Sequence, residues 1–167
     1  PVFHYIDGAA DDEVTLKRNT QAFEDVDLVP NVLKGVENID ISTELMGKKL
    51  STPLFFSPTA LQRLFHYEGE IAVGQAAEEF NTFFGISSLA TVSIEDVADR
   101  FSCPKLFQMY IHKDKGLNES MIEKCKINKF DALAITLDTV VGGNRERDLK
   151  TGFTSPPKVG LNSFLSY

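Results

Sequence analysis

No uninterrupted apolar run in the chain approaches the ~18 residues that span a bilayer, and no charged segment followed by an apolar stretch opens it at Pro1. These two lacks lead to the expectation of a cytoplasmic protein. Positive charge is also scarce: Lys and Arg number 17 against 24 Asp and Glu, a formal net charge of −7. A wide phosphate-backbone footprint, and so nucleic acid, is disfavoured, while a local cationic pocket for one small anion stays open. Cysteine occurs only as Cys103 and Cys125, without a CxxC or a nearby His pair. That spacing reads as reduced structural thiols, not as a disulfide or a metal site. Low-complexity tracts are missing, and neither GxGxxG nor GxxxxGK[ST] follows any apolar run, so the phosphate-cradling fingerprints of open α/β sheets are excluded.

What is present is the composition of a packed globular chain: 43% hydrophobic residues, 25% charged ones and 13 Phe among 167 residues. The length is that of one domain and falls short of the ~250 residues of a complete (β/α)8 barrel. Residues 1–52 read as an N-terminal cap. Within it Val14, Leu16, Ala22 and Phe23 follow Asp11, Asp12 and Glu13 as a helix with acids at its start. Further on, Met46-Gly47-Lys48 separates two β-like runs that can pair as a hairpin.

From residue 53 to 148 a rhythm sets in. Four apolar runs, at residues 53–58, 82–88, 105–111 and 132–138, read as buried strands. Between them lie helical patterns from Glu68 to Phe80, Ser93 to Phe101 and Asn118 to Lys129, with Ser93 and Asp96 spaced as in a capping box. Continuous apolar strands separated by helices imply a parallel sheet covered on both faces, closed as a barrel or open and doubly wound. The missing phosphate fingerprints and the polar residues that end each strand (Ser57 and Thr59, Ser87 and Ser88, Gln108 and Tyr110, Thr136 and Asp138) favour a barrel, whose ligands bind at that end. Four strands are half of eight. Residues 149–167, with two prolines, two glycines and scattered apolar residues, read as a loop after the fourth strand.

The stretch FHYIDGAADDEVTL, then PTALQ, HYEGE, SIEDV, FQMY and LDTVVGGNRERD, in that order, resembles the FMN-dependent L-2-hydroxy-acid oxidase and dehydrogenase family, whose members include glycolate oxidase, lactate dehydrogenase and mandelate dehydrogenase. The resemblance runs from about Phe3 to Phe153 and implies an α/β (β/α)8 TIM barrel, of which this chain supplies the cap and about the first four βα units. It further implies FMN as cofactor, with Pro58, Thr59, Ala60, Ser87, Gln108 and Thr136 at the flavin. Tyr5 matches the tyrosine that binds the substrate carboxylate, Tyr110 the tyrosine near the reacting hydroxyl, and Arg145 an arginine of the fourth βα loop that approaches the substrate. Without the family, Ser87 and Thr136 read as strand-end caps, Tyr5 as a packing residue and Arg145 as a solvated charge. Glu146, Arg147 and Asp148 read as ion-pair partners ordering the loop.

The implied reaction is oxidation of an L-2-hydroxy acid to the 2-oxo acid, with the electron pair passing to FMN either from a carbanion or as a hydride. None of His4, His66 and His112 matches the family base, and the flavin-side lysine, the later carboxylate arginine and the glycine-rich phosphate grip have no match either. The chain alone is therefore expected to bind no flavin and turn nothing over. Leu89 stands where glycolate-oxidising relatives carry a bulky aromatic, which suggests room for a methyl or larger group. With FHYIDG, which is similar to the bacterial lactate dehydrogenases, this makes L-lactate the first substrate expected, then mandelate or a longer aliphatic hydroxy acid. The expected partners are the remaining half of the barrel and a second copy in a homo-oligomer. In membrane-associated relatives the loop after the fourth strand touches the bilayer, so peripheral contact at the inner membrane face is a further expectation. A rival from another class is a non-catalytic half-barrel that keeps its surface for assembly.

Overall fold

The computed structural model describes residues 2–154 and divides the chain into two compact units, Val36–Val140 and Pro1–Gly35 with Val141–Tyr167. This division departs from the expected boundary at residue 52. The hairpin β1 (Thr43–Leu45) and β2 (Lys48–Leu50) groups with the strands that follow it, not with the N-terminal helices. The physical reason is Leu50, which is 1% exposed and packs against Phe83 and Leu106. The hairpin forms where Met46-Gly47 marked it: both residues hold positive φ, 52° and 73°, as a two-residue turn between twisted strands requires.

The larger unit is built on β3 (Phe56–Thr59), β4 (Phe84–Ser87), β5 (Lys105–Tyr110) and β6 (Ala132–Thr136), all parallel and in the order β3-β4-β5-β6. A doubly wound sheet reverses its order at a switch point. Here strand follows strand without reversal, as in the first arc of a (β/α)8 barrel. The helices α3 (Glu70–Glu79), α4 (Ile94–Arg100) and α5 (Lys115–Ile127) are the crossovers. They share one hydrophobic cluster with the strands: Ala77, Val97 and Cys125 meet Phe84, Ile86, Phe107 and Met109. The alternate strand residues form the opposite face, where Leu106 and Ala132 share a layer with Leu50 and Phe83.

The helix ends follow from local chemistry. Ser93 Oγ accepts the Asp96 N–H at 3.0 Å, the capping bond its spacing implied. The helix expected from Asn118 starts one turn earlier, because Asp114 Oδ1 accepts the Leu117 N–H at 3.2 Å and so draws Lys115 and Gly116 into the first turn. On β3, Pro58 has no N–H for the ladder, and the register against β4 slips between Phe56 and Thr59. Gly85 lies against that bulge: a Cβ there would stand 2.6 Å from the Phe56 carbonyl oxygen and 2.7 Å from Pro58 N.

The smaller unit contains α1 (Val2–Asp7), α2 (Val14–Glu24) and α6 (Glu146–Thr151). Helix α6 corrects the loop expected from residue 149: Arg145 accepts the Asp148 and Leu149 N–H groups through its carbonyl, and Gly152 ends the turn at φ 71°. The rest of that loop, beyond Thr154, lies outside the described residues.

Candidate functional site

The interior face of the sheet changes character along the strands. After the apolar layer of Leu106 and Ala132 come Ser87, Gln108 and Ala134, aligned by register, and beyond them Tyr110 opposite Thr136. Three of the expected cofactor residues are joined there by side-chain hydrogen bonds. Ser87 Oγ donates to Gln108 Oε1 at 3.0 Å, and Gln108 Nε2 donates to Thr136 Oγ1 at 2.7 Å. Ser87 and Gln108 are 4% and 7% exposed, so water competes little for these bonds. The relay fixes the amide plane while leaving the second Nε2 hydrogen of Gln108 and the hydroxyl hydrogen of Thr136 for a ligand. One residue past Ser87, the Ser88 hydroxyl is buried and has no partner among the described residues.

Thr59 stands at the same end, paired by register with Ile86, the residue before Ser87. Its hydroxyl accepts from Gln62 Nε2 at 2.6 Å, which ties it to the short 3-10 turn Gln62–Leu64. Pro58 is half-buried in β3 and Ala60 follows the strand. Tyr110 ends β5 half-buried, and Leu89 is 47% exposed beyond β4. The Leu89 N–H donates to Ser87 Oγ at 3.1 Å and its carbonyl accepts the Leu61 N–H at 3.1 Å, so the backbone beneath the side chain is held from both sides.

Within the smaller unit the structure joins Tyr5 and Arg145. The Arg145 guanidinium lies 4.9 Å from the centre of the Tyr5 ring, its Nη2 donates to the Tyr5 carbonyl and its Nε pairs with Asp148. Phe153 stacks on that ring with 4.3 Å between centroids. Arg147 bridges Asp7 and Glu13, and Glu146 pairs with Lys150, so all three charged residues after Arg145 form ion pairs. His66 Nδ1 accepts the Glu68 N–H, and the His112 backbone is held at both polar groups by Asn118. Among the described residues no group of three His, Cys, Asp or Glu is placed to hold a metal.

Two buried charges escaped sequence reasoning. Lys105, inside an apolar run, donates to the Phe101 and Cys103 carbonyls at 2.9 and 3.1 Å from the N-terminal end of β5. Glu70, at the first turn of α3, is 1% exposed. A charged residue directly inside or beside an apolar stretch was the only signal for either.

Comparison with known proteins places this geometry. The profile of the FMN-dependent dehydrogenases matches residues 1–167. The chain belongs to that family. It is 42% identical over 163 residues to an L-lactate oxidase of Nostoc, covering 95% of this chain and 44% of the relative. It is 37% identical over 163 residues to glycolate oxidase 1 of Oryza sativa subsp. indica, covering 98% and 44%. Among solved structures, a mutant of an active chimera of (S)-mandelate dehydrogenase superposes with a TM-score of 0.87 at 33% identity, over 98% of this chain and 46% of that one. The chain thus spans less than half the length of the relatives it matches.

Proposed function

We propose that this chain supplies the flavin-facing half of an FMN-dependent enzyme that oxidises a small L-2-hydroxy acid to its 2-oxo acid, with L-lactate the leading substrate and mandelate or a longer aliphatic hydroxy acid next. The Ser87–Gln108–Thr136 relay carries the reading. It presents donors and acceptors without formal charge from the ends of three neighbouring strands. That donor set fits the edge of an isoalloxazine ring, whose donors and acceptors uncharged hydroxyl and amide groups can satisfy. Pro58, Thr59, Ala60, Ser87, Gln108 and Thr136 are the residues assigned to hold it. When bound, FMN supplies the two-electron acceptor.

The remaining assignments concern the substrate. The Tyr110 phenol is assigned to the reacting hydroxyl and is the catalytic group of this chain. Tyr5 and Arg145 are assigned to the carboxylate, to which a guanidinium and a phenol donate charge-assisted and neutral hydrogen bonds. Arg145 keeps donors for that purpose, since Asp148 and the Tyr5 carbonyl take only its Nε and one Nη2 hydrogen. Leu89 is assigned to the side-chain pocket, and its modest bulk supports lactate over glycolate. The likeness to a lactate oxidase supports the same order, while glycolate oxidase 1 keeps glycolate within the comparison. The remainder of the barrel and a second copy are the proposed partners. Cytoplasmic placement with peripheral contact at the inner membrane face through the segment after Lys150 completes the reading; among the described residues no helix is long and apolar enough to cross a membrane.

The test uses the full-length protein. FMN should bind with quenching of its fluorescence, and L-lactate should give a higher kcat/KM than glycolate or (S)-mandelate. Gln108→Leu removes the Nε2 hydrogen offered to the ring, a hydrogen bond whose loss in a buried site costs about 1–3 kcal/mol, so flavin affinity should fall about ten- to a hundredfold. Absence of FMN binding in the parent, or unchanged affinity in Q108L, would refute the assignment.

A further inference from the structure

Glu70 is the most deeply buried carboxylate among the described residues, and its partners explain the burial. Its Oε1 accepts the Thr91 N–H at 2.8 Å and the Gln62 N–H at 3.3 Å, and its Oε2 accepts from the Thr91 hydroxyl. All three donors come from outside its own helix. Gln62 belongs to the turn after β3, and Thr91 to the loop after β4. Favouring a helix N-terminus would require only an exposed acid, and Glu68 already lies just ahead of α3 without that desolvation. Burying a carboxylate is justified physically by the donors it gathers.

The same two loops are laced further. The Leu61 N–H donates to the Leu89 carbonyl at 3.1 Å, and the Arg63 N–H donates to Thr91 Oγ1 at 3.4 Å. Leu61, whose N–H makes the first of these bonds, takes the left-handed conformation at φ 56°. From Glu70 the chain of bonds runs one way through Gln62 to the Thr59 hydroxyl, and the other way through the Thr91 loop to Leu89, Ser87 and Gln108. We infer that Glu70 is a positioning residue: its carboxylate sets the spacing between the Gln62–Leu64 turn, which holds the Thr59 end of β3, and the loop that carries Leu89 and Thr91, and so couples the flavin site to the substrate pocket. The inference rests on the proposed function for what those loops hold, but the clip itself is independent of it.

Glu70→Ala and Glu70→Gln in the full-length protein separate this role from a charge effect. Glutamine retains an oxygen for both N–H groups and offers its amide to the Thr91 hydroxyl, so it should rescue; alanine should not. In the flavin-free protein, amide hydrogen exchange over residues 59–63 and 88–92 should accelerate about tenfold or more in E70A, while Lys105–Tyr110 exchanges as in the parent. In the loaded protein, E70A should raise both the FMN dissociation constant and KM for L-lactate about tenfold, with E70Q within about threefold of the parent. Should E70A not fold, Thr91→Val removes one arm of the clip and should give the same pattern at about threefold. Unchanged exchange in both loops, E70Q behaving as E70A, or loosened loops with unaltered flavin and substrate constants would each overturn the inference. A parent that binds no FMN would refute the proposed function instead, and the exchange data would still decide the clip.

Discussion

Cys103 and Cys125 are buried, and burial pushes both thiols up to about 11 from an ordinary 9.0, with the charges of Glu78 and Glu95 respectively acting in the same direction. A thiol whose pKa is raised by folding favours the folded state as long as the unfolded thiol stays protonated. Its contribution is complete below about pH 9 and is lost as pH rises toward 11. Urea midpoints measured across that range should fall more steeply in the parent than in Cys103→Ala/Cys125→Ala, which has no thiol to ionise; parallel curves would contradict the assignment. At this scale the sequence was informative about chemistry and silent about partners. The two thiols were legible as structural because they lacked ligand spacing. Glu70 was not legible as a clip, because Thr91, its principal partner, is remote in sequence and becomes a neighbour only when β3 and β4 align.

Elements were read well where periodicity was long and poorly where a single cap decided the boundary. The apolar runs overshoot their strands, as at Leu54 and Phe55, because hydrophobicity continues past the last ladder bond and those side chains remain 72% and 46% exposed. Helix α3 shows what no pattern reveals. Gly74 lies against the Phe101 ring so closely that a Cβ could not be placed without displacing it. That ring is 7% exposed and packs edge-on against Phe84 at 5.9 Å. Gly74→Ala gains about 1 kcal/mol of helix propensity but forces the ring aside, at about 1–3 kcal/mol. Overpacking should win, so urea denaturation should show a net loss of roughly 1 kcal/mol. A stabilised variant would show that α3 can shift outward freely.

For the whole molecule, the consequence lies at the margins of the sheet. β3 and β6 are its outer strands, each paired on one side only among the described residues. Leu133 and Ile135 on β6 are 40% and 50% exposed, an apolar surface beside an open row of backbone groups. The 167-residue chain on its own should therefore self-associate, and light scattering across a dilution series should show mass falling with concentration. Adding the remaining polypeptide of the barrel should suppress that association. A monodisperse monomer at high concentration would show that these edges are satisfied in another way.

The strand–helix rhythm, the hairpin at Met46-Gly47 and the polar strand ends were settled by local pattern alone, because period, turn residues and caps act within a few positions along the chain. Which polar ends touch was decided by tertiary structure. Ser87, Gln108 and Thr136 are separated along the chain by whole crossovers, and only the parallel register of β4, β5 and β6 brings their side chains within hydrogen-bonding distance. The pairing of β3 with β4 likewise brings Glu70 against Thr91, where a solvated charge becomes a buried acceptor because its donors arrive from two other loops.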